Sequence, residues 1–508
     1  MMNRRAFLKG LAGTALAMHG LAKAAKATLN RPNIVIVVTD DQGYADLGAY
    51  AHHAADIRTP NMDRLAAGGV LFTQAYVTAP VCSPSRAGWN TGRYQQRWGH
   101  WSWGAPLPTN VRTLAEHLKA AGYVTGKVGK SDFGHGYHKH DVREYPLNHG
   151  FDEFLGFSSH AHDFFLMSED IERRTPDPHG SSAALGPLMH NRTRKEYTDG
   201  YTTEIFTDWA IDFLARHKDQ PFFLTVAYNS VHHLIHEVPE KYLRKHGVKT
   251  IPNYDPDTMG RYSKYYNTYN KLNPISDADM RKYYLANLNC LDDQLGRLLD
   301  AMDRHGLADN TLLIYFGDNG GSPLTGACNR PLRGSKYILF EGGIRVPFMA
   351  RWTGKLPKGT TYAHRVSTLD VLPTCLAAAG RAAKPDAKLD GASFLEAVRD
   401  GKPAPSSGKP MFWHFGQNWA VRDGDWKLVR TSDRISRKAT SQILSGPAGA
   451  GRPRLYHLKV DPAEQNDLAG KHPDIVRRLE ALYQQWRGEM PKSPARRRKK
   501  NAKKKPKA

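Results

Sequence analysis

Four strand-length runs of apolar and β-branched residues constrain the fold of this chain more than any other feature, because each ends abruptly in polar side chains. The runs cover residues 33–38, 123–128, 222–228 and 311–316. Continuous apolar runs of this kind suit strands that are buried on both faces of a parallel sheet. Between them lie helical patterns, at 111–121, 204–216 and 278–305. The sequence therefore predicts alternating α and β units around a mostly parallel central sheet, an α/β fold.

The polar residues that follow these runs are of types that act in catalysis or bind metal ions. They are Asp40 and Asp41, Lys130, His232, and Asp318 with Asn319. Ligands of open parallel sheets bind beyond the carboxyl ends of the strands. We therefore expect these side chains to meet at one edge of the sheet.

A second, smaller unit is predicted after the Pro- and Ser-rich stretch 402–410. Residues 420–429 read as two short strands around an Asp-Gly turn. A strand near 455–458 and an amphipathic helix near 473–487 would complete a small antiparallel sheet with one helix. We therefore predict a catalytic domain at 28–404 and a C-terminal α+β subdomain at 405–490. The stretches 135–200 and 234–275 are predicted to be loop-like insertions that serve function.

The formal charge of +23 is concentrated at the two ends of the chain. Residues 491–508 carry ten Lys or Arg and residues 1–27 carry five, with no acidic residue in either stretch. The folded body is only mildly basic, so we do not expect nucleic acid as a partner. The tail 491–508 is predicted to be a disordered extension, with a tether to a polyanion such as an acidic polysaccharide as the alternative.

The first 27 residues resemble a twin-arginine export signal, with Arg4 and Arg5 ahead of a modest apolar stretch. That stretch is too short to span a membrane, and we expect no transmembrane span elsewhere. The expected partner is the twin-arginine translocase, and the expected location of the mature protein is periplasmic or extracellular, in a bacterium.

Four cysteines lie far apart, so neither a zinc site nor a disulfide scaffold is indicated; they are Cys82, Cys290, Cys328 and Cys375. The first begins the pentapeptide Cys-Ser-Pro-Ser-Arg that ends at Arg86, just before a predicted helix over 87–92. This pattern, with the Gly-x-x-Thr-Gly-Arg that follows, resembles the signature of the type I sulfatases of the alkaline phosphatase superfamily. In that family the cysteine is oxidised to Cα-formylglycine.

The resemblance extends from about residue 31 to residue 486 and includes the Leu-Tyr-His-Leu block that ends at Leu458. It implies an alkaline-phosphatase-like sandwich with a small C-terminal subdomain, and hydrolysis of sulfate monoesters. It also implies a maturation partner that acts on Cys82, either a formylglycine-generating enzyme or an anaerobic sulfatase-maturing enzyme.

An all-oxygen ligand set with three carboxylates is formed by Asp40, Asp41, Asp318 and Asn319. Such a set is what a hard divalent cation prefers, and calcium is the ion we expect. Adjacent carboxylates at a strand end repel each other unless a cation neutralises them. The resemblance implies that these four residues bind calcium together with the formylglycine at Cys82.

A sulfate ester is anionic, so its site must supply dense positive charge. Arg86 lies one helical turn from Cys82 and is expected to hold the hydrated aldehyde. Lys130 and Lys336 are the expected sulfate-binding cations; Lys130 resembles the lysine of the family's Gly-Lys-Trp-His-Leu-Gly motif. His232 is the expected general acid for the leaving alkoxide, with its neighbour His233 as the alternative and as a substrate contact.

The clearest departure from the family is Asp132, which takes the position of the histidine in that motif. In the family that histidine contacts the formylglycine hydroxyl and assists the release of sulfate. Here Asp132 would accept the hydroxyl proton itself, or His135 or His138 would enter from the next loop, or the release of sulfate would be impaired.

Sulfated polysaccharide or oligosaccharide is the expected substrate, since long His- and Tyr-rich insertions suit sugar recognition. Two alternatives stay open: a phosphonate monoester or phosphodiester hydrolase, and a non-catalytic binder of sulfated glycans. Residues considered for sugar contacts are His100, Trp101, Trp103, His160, His162 and Tyr266.

Overall fold

The computed structural model describes residues 31–102, 106–133, 140–180, 183–266, 275–381, 388–431 and 451–491. The predicted export signal and the basic tail beyond residue 491 lie outside the described residues. So do Trp103, His135 and His138. The proposed domain boundaries at 28, 405 and 491 stay predictions.

The strands are, in chain order, β1 (Asn33–Thr39), β2 (Val70–Phe72), β3 (Ala75–Tyr76), β4 (Val124–Lys130), β5 (Glu153–Phe157), β6 (Ala161–His162), β7 (Ala183–Ala184), β8 (Leu188–His190), β9 (Thr193–Lys195), β10 (Phe222–Ala227), β11 (Thr311–Gly317), β12 (Phe348–Arg351), β13 (Thr360–Tyr362), β14 (Val366–Ser367), β15 (Met411–Phe415), β16 (Asn418–Asp423), β17 (Trp426–Arg430) and β18 (Arg454–His457). The helices are α1 (Pro60–Ala67), α2 (Cys82–Thr91), α3 (Leu114–Ala120), α4 (Glu169–Arg174), α5 (Thr202–His217), α6 (Glu240–Lys245), α7 (Pro256–Met259), α8 (Asp277–Arg304), α9 (Glu341–Ile344), α10 (Val371–Ala378), α11 (Leu395–Arg399) and α12 (Pro473–Gly488).

Within the described residues, ten strands form one sheet in the order β13-β2-β12-β11-β1-β10-β4-β5-β8-β9. Its centre, β11-β1-β10-β4-β5, is parallel throughout. The four strands predicted from the apolar runs are therefore consecutive neighbours, and the predicted α/β fold with a mostly parallel sheet is confirmed. One expectation was wrong in part: the stretch 135–200 contains β5, the fifth parallel strand.

Helices cover both faces of the sheet because alternate side chains of each central strand point to opposite sides. Val35 and Val37 of β1 pack on the side of α5 and α8. Ile34 and Ile36 pack on the other side, with α3 and α10. The central strands are buried along their whole length, which explains their continuous apolar sequence.

Four helices begin at residues other than those predicted: α5 begins at Thr202 and α8 at Asp277, each within two residues of the prediction, and α2 and α3 differ more. α3 begins at Leu114 because Thr113 and Glu116 form a capping box, with Glu116 N–H donating to Thr113 Oγ1 (3.2 Å) and Thr113 N–H donating to Glu116 Oε2 (2.9 Å). α2 begins at Cys82 itself, after Val81 in an extended conformation. Cys82 is thus the first residue of the helix and not part of a preceding turn.

The C-terminal residues form an antiparallel sheet in the order β15-β16-β17-β18, as predicted, with β15 as an additional strand. One face packs on α12, through Leu479, Tyr483 and Trp486. The other face packs on 338–340 and on Val346, so this sheet supports the segment that follows Lys336. Among the described residues, we find no helix with the length and apolar character that crossing a membrane requires.

Candidate active site

The carboxyl ends of β1 and β11 bring the predicted acidic residues together. The register of the two strands sets Thr39 beside Gly317, so the residues that follow them are adjacent. Asn319 Nδ2 donates to Asp41 Oδ1 (2.8 Å), and Asp41 N–H donates to Asp318 Oδ1 (3.3 Å). Asp41 adopts a left-handed backbone conformation (φ 61°), which turns the chain sharply at the end of β1.

Arg86 ties helix α2 to these carboxylates. Its Nε donates to Asp318 Oδ2 (2.9 Å), its Nη2 lies 2.8 Å from the same oxygen, and Nη2 is 3.8 Å from Asp40 Oδ2. Burial lowers the pKa of Arg86, but Asp318 and Asp40 outweigh it and hold the pKa above its ordinary value. The guanidinium is therefore a permanent, buried positive charge.

Two lysines complete the positive charge of the site. Lys130 Nζ donates to Asp40 Oδ2 (2.7 Å), and Lys336 Nζ donates to Asp41 Oδ1 (2.6 Å). Both lysines are buried. Burial lowers their pKa values, yet the facing carboxylates outweigh it, so both pKa values lie above the ordinary range and both groups are charged.

The oxygen donors fit a hard divalent cation. Among the described residues, Asp40 Oδ1 and Asn319 Oδ1 are buried without a hydrogen-bond partner, which an ion would supply. Burial and the nearby Asp40 raise the pKa of Asp318 to about 7, against the effect of Arg86. The carboxylate and amide oxygens of this set are the ligands that calcium prefers.

Cys82 is buried at the start of α2, within the influence of the same groups. Burial and then Asp132 raise the pKa of its thiol above the ordinary value, against the effect of Lys130 and Lys336. An unmodified Cys82 would therefore stay a neutral thiol, which is a poor nucleophile.

Asp132 does not stand alone. Its Oδ1 lies 2.5 Å from Nδ1 of His160, and its Oδ2 lies 3.4 Å from Nζ of Lys130. Cys82 Sγ, one carboxylate oxygen of Asp132 and one ring nitrogen of His160 all lie within 4.8 Å of one another. His160, considered from the sequence only for a sugar contact, is therefore part of this site.

The sulfatase family model matches residues 32–381, which is more than half of the chain. The chain belongs to the sulfatase family. Human arylsulfatase A is 30% identical over 498 residues, covering 91% of this chain and 89% of its own length. The N-acetylgalactosamine-6-O-sulfatase of Bacteroides thetaiotaomicron is 28% identical over 516 residues, covering 89% and 93%. The solved structure of Ps i-CgsB in complex with k-i-k-neocarrahexaose has a TM-score of 0.75 and 26% identity, covering 91% and 94%.

The protein is thus a sulfuric ester hydrolase with the α/β fold of the sulfatases. Three cations, Arg86, Lys130 and Lys336, and two carboxylates, Asp40 and Asp132, act electrostatically on Cys82, the position that the sequence singles out.

Of the two neighbouring histidines of this sulfatase, His232 faces the carboxylates. Its Nε2 lies 3.8 Å from Asp41 Oδ2, whereas His233 Nε2 lies 3.1 Å from the backbone oxygen of Tyr266. Burial lowers the pKa of both rings to about 4. The geometry therefore separates the two residues, with His232 at the cluster and His233 against the insertion that carries Tyr266.

Other predicted sugar contacts take different places in the sulfatase fold. Trp101 packs against the C-terminal sheet, with Arg487 4.0 Å from its ring centroid and His414 4.6 Å from it. His162 is buried, with Nδ1 2.7 Å from Asp163 O. His100 is buried after a short 3₁₀ turn, where its backbone N–H donates to Gln95 O (3.2 Å); its role as a substrate contact stays a prediction.

Tyr337 is a site residue that the sequence reasoning missed. Its ring centroid lies 5.6 Å from Nζ of Lys336. Burial raises the pKa of Tyr337, Lys336 lowers it, and Asp41 and Cys82 raise it further, which places the phenol among the site groups. Its position directly after Lys336 was the signal available in the sequence.

Proposed function

We propose that this sulfatase removes sulfate from a sulfated polysaccharide or oligosaccharide, using a formylglycine made from Cys82 and a bound calcium ion. The observation that carries the proposal is the convergence of Arg86, Lys130 and Lys336 with three buried carboxylates beside the first residue of α2. Neutral substrates have no need of such charge, whereas a sulfate ester does.

Calcium would be held by Asp40, Asp41, Asp318, Asn319 and residue 82. The unpaired oxygens of Asp40 and Asn319 support this assignment. Bound there, the ion would act as a Lewis acid on a sulfate oxygen and favour ionisation of the attacking hydroxyl.

Residue 82 supplies the nucleophile after oxidation. Hydrated to a geminal diol, formylglycine offers one hydroxyl that attacks sulfur and a second whose proton loss expels sulfate. The unmodified thiol is poorly suited to attack, since burial holds its pKa high. Arg86, one turn along α2 and fixed on Asp318, orients residue 82 from its own helix.

Lys130 and Lys336 bind the sulfate oxygens. Each forms an ion pair with one of the two adjacent aspartates that follow β1, so the two ammonium groups belong to one charged cluster. Positive charge fixed in a buried site stabilises the extra negative charge of the transition state without reorganising solvent.

His232 donates the proton that a sugar alkoxide needs on leaving. It is the histidine of the pair that faces Asp41, and its side chain is 12% exposed, which gives it access to a bound ester. Burial favours the neutral ring in the free protein, and the negative charge of a bound sulfate favours the protonated ring.

A glycan substrate is supported by the relatives, since one acts on N-acetylgalactosamine 6-sulfate groups by its name and another is solved with a neocarrahexaose. His233, Tyr266 and His100 are proposed to contact the sugar. The domains at 28–404 and 405–490 would carry the site and support its 336–346 segment.

Maturation must precede folding, because Cys82 is 2% exposed in the folded chain. A formylglycine-generating or anaerobic sulfatase-maturing enzyme would therefore act on the unfolded chain. The twin-arginine translocase would then carry the folded protein to the periplasm or the exterior.

The test is a panel of defined sulfated oligosaccharides, read out as free sulfate, with matured protein and a Cys82→Ala variant as the control. We expect release from at least one glycan and none by the variant. An aryl phosphonate ester is assayed beside an aryl sulfate. Faster hydrolysis of the phosphonate ester would show that the protein is a phosphonate hydrolase. Binding of sulfated glycan without release of sulfate would show that it is a binding protein.

A further inference from the structure

Asp132 and His160 reach residue 82 from two neighbouring strands. β4 ends at Lys130, which is paired with Phe157 at the end of β5. Beyond this pair, Ser131 N–H donates to Phe157 O (2.9 Å), which holds the two following segments side by side. The carboxyl ends of β4 and β5 therefore bring the Asp132 carboxylate and the His160 imidazole together next to Cys82.

The two members of the pair differ in their surroundings. The Asp132 side chain is fully buried, whereas the His160 side chain is 29% exposed. Only the imidazole of the pair is therefore in contact with solvent, to which a proton taken up in the reaction can pass. With Nδ1–H donating to Asp132, a neutral imidazole accepts a proton at Nε2.

Cys82, Asp132 and His160 could also bind a metal ion, but maturation of Cys82 would remove one of the three ligands. Oxidation of Cys82 to an aldehyde removes Sγ, the soft ligand of the set. What remains beside residue 82 is an imidazole whose Nδ1 is held by a carboxylate, an arrangement that fixes the tautomer and orientation of a reacting histidine.

We propose that His160 is a catalytic residue that accepts the proton of residue 82 when sulfate is released, and that Asp132 is the positioning residue that holds its ring. The inference rests on the proposed function. In this step the O–H bond of the remaining hydroxyl breaks and its proton passes to a ring nitrogen of His160. The electron pair of that bond forms the C=O bond of the aldehyde, and the C–O bond to sulfate breaks with its electron pair leaving on sulfate. Asp132, although it stands at the position of the motif histidine, therefore orients His160 and does not itself accept the proton.

The test uses matured, full-length His160→Ala and Asp132→Asn, with His162→Ala as a matched control. His162 lies two residues away, and its ring packs 5.2 Å from that of Phe157. We expect His160→Ala to lower kcat by about 10²- to 10⁴-fold. Sulfate should remain on the residue 82 peptide after acid quench, detected by mass, and added imidazole should speed its loss. Neither effect is expected for His162→Ala.

The role of Asp132 is tested in two ways: by combining its substitution with that of His160, and by an NMR measurement of the His160 ring. We expect the double variant Asp132→Asn/His160→Ala to be no slower than His160→Ala, because both changes disable one unit. In ¹⁵N-histidine spectra, Asp132→Asn should alter the tautomer signal of His160. Asp132→His in the His160→Ala background should recover part of kcat, since it restores an imidazole at the motif position.

Several outcomes would overturn the inference. If His160→Ala turned over at the wild-type rate, the inference would be wrong but the proposed function would stand. The same holds if kcat fell and no sulfate remained on residue 82. Loss of bound metal from His160→Ala would make it a ligand instead. Absence of turnover by matured wild-type protein would overturn the proposed function, and this inference with it.

Discussion

Arg86 and Asp318 are joined through two guanidinium nitrogens on one carboxylate oxygen, Nε at 2.9 Å and Nη2 at 2.8 Å from Oδ2. The contact links the helix that begins at Cys82 with the end of β11, although 232 positions separate the two residues. The other oxygen of Asp318 accepts the backbone N–H of Asp41 (3.3 Å). This buried ion pair is therefore a direct link between the helix that carries residue 82 and the proposed calcium ligands.

Replacing Arg86 by lysine tests whether activity depends on the positive charge at this position or on the two contacts with Asp318. Lysine keeps the positive charge but cannot place two nitrogens on Asp318. We expect kcat/KM to fall about 10²-fold, the effect of a small displacement of reacting groups, with folding retained. Arg86→Ala, which leaves the Asp318 carboxylate buried and unpaired, should lose about 3–5 kcal/mol of stability. Unchanged kcat/KM in Arg86→Lys would show that orientation of residue 82 does not depend on this contact.

Removal of calcium should lower thermal stability as well as activity. Without calcium, the repulsion among Asp40, Asp41 and Asp318 is offset only by Arg86 and the two lysines, and the unpaired oxygens of Asp40 and Asn319 have no ligand. We expect chelator-treated protein to unfold at a lower temperature, and calcium at about 100 times its Kd to restore about 2.7 kcal/mol. Calorimetry with and without calcium measures this, with magnesium as the control ion. Equal midpoints in both conditions, with full activity after chelation, would contradict the metal assignment.

The role of His232 predicts a dependence on the leaving group. A sugar alkoxide needs a proton as it leaves, whereas an acidic phenol such as nitrophenol does not. We therefore expect His232→Gln to lower kcat for a sugar sulfate by about 10²- to 10⁴-fold and for nitrophenyl sulfate by much less. His233→Gln is the comparison: its Nε2 lies 3.1 Å from Tyr266 O, and as a proposed sugar contact it should raise KM for the sugar sulfate without this loss of kcat. An equal loss on both esters would assign His232 a role other than general acid.

The central strands could be predicted because their sequence alone carries the signal. β1, β10 and β11 are long, apolar and rich in β-branched residues, and the structure moves their ends by one residue at most. β5 gave no such signal, since Glu153–Phe157 is short and becomes a strand by pairing with β4. Short strands of this kind depend on distant partners, which local sequence does not reveal.

The same distinction holds at the site. Asp40, Arg86 and Lys336 lie in local motifs, so their positions could be read directly from the sequence. The contact of Asp132 with His160 depends on how β4 and β5 pair, and only the structure shows it. The aspartate at the motif's histidine position left three possibilities open in the sequence: Asp132 itself as the base, an imidazole from His135 or His138, or an impaired step, and His160 was not among them.

A buried lysine between two glutamates fixes the C-terminal sheet to the segment after Lys336. Lys427 Nζ lies 2.9 Å from Glu341 Oε1 and 2.9 Å from Glu464 Oε1, and all three side chains are buried. Arg345 and Arg422 also face Glu341, at 3.7 and 3.9 Å from its Oε2, so Glu341 is the better compensated of the two carboxylates. Burial raises the pKa of Glu464 to about 7 against the effect of Lys427, and the neighbouring Glu341 raises it further.

Glu464→Gln should therefore stabilise the protein at alkaline pH. The folded state binds a proton at Glu464 more tightly than the unfolded chain does, so this residue's contribution to stability is present below about pH 4.5 and is lost as pH rises to about 7. Glutamine removes that loss. We expect the variant to match the wild type near pH 4 and to exceed it by about 3 kcal/mol at most above pH 8, measured by denaturant unfolding. Glu480→Gln, on the partly exposed face of α12, is the control and should show no such divergence. A Glu464→Gln protein that is less stable than the wild type above pH 8 would mean that Glu464 is held ionised by Lys427 in the folded protein.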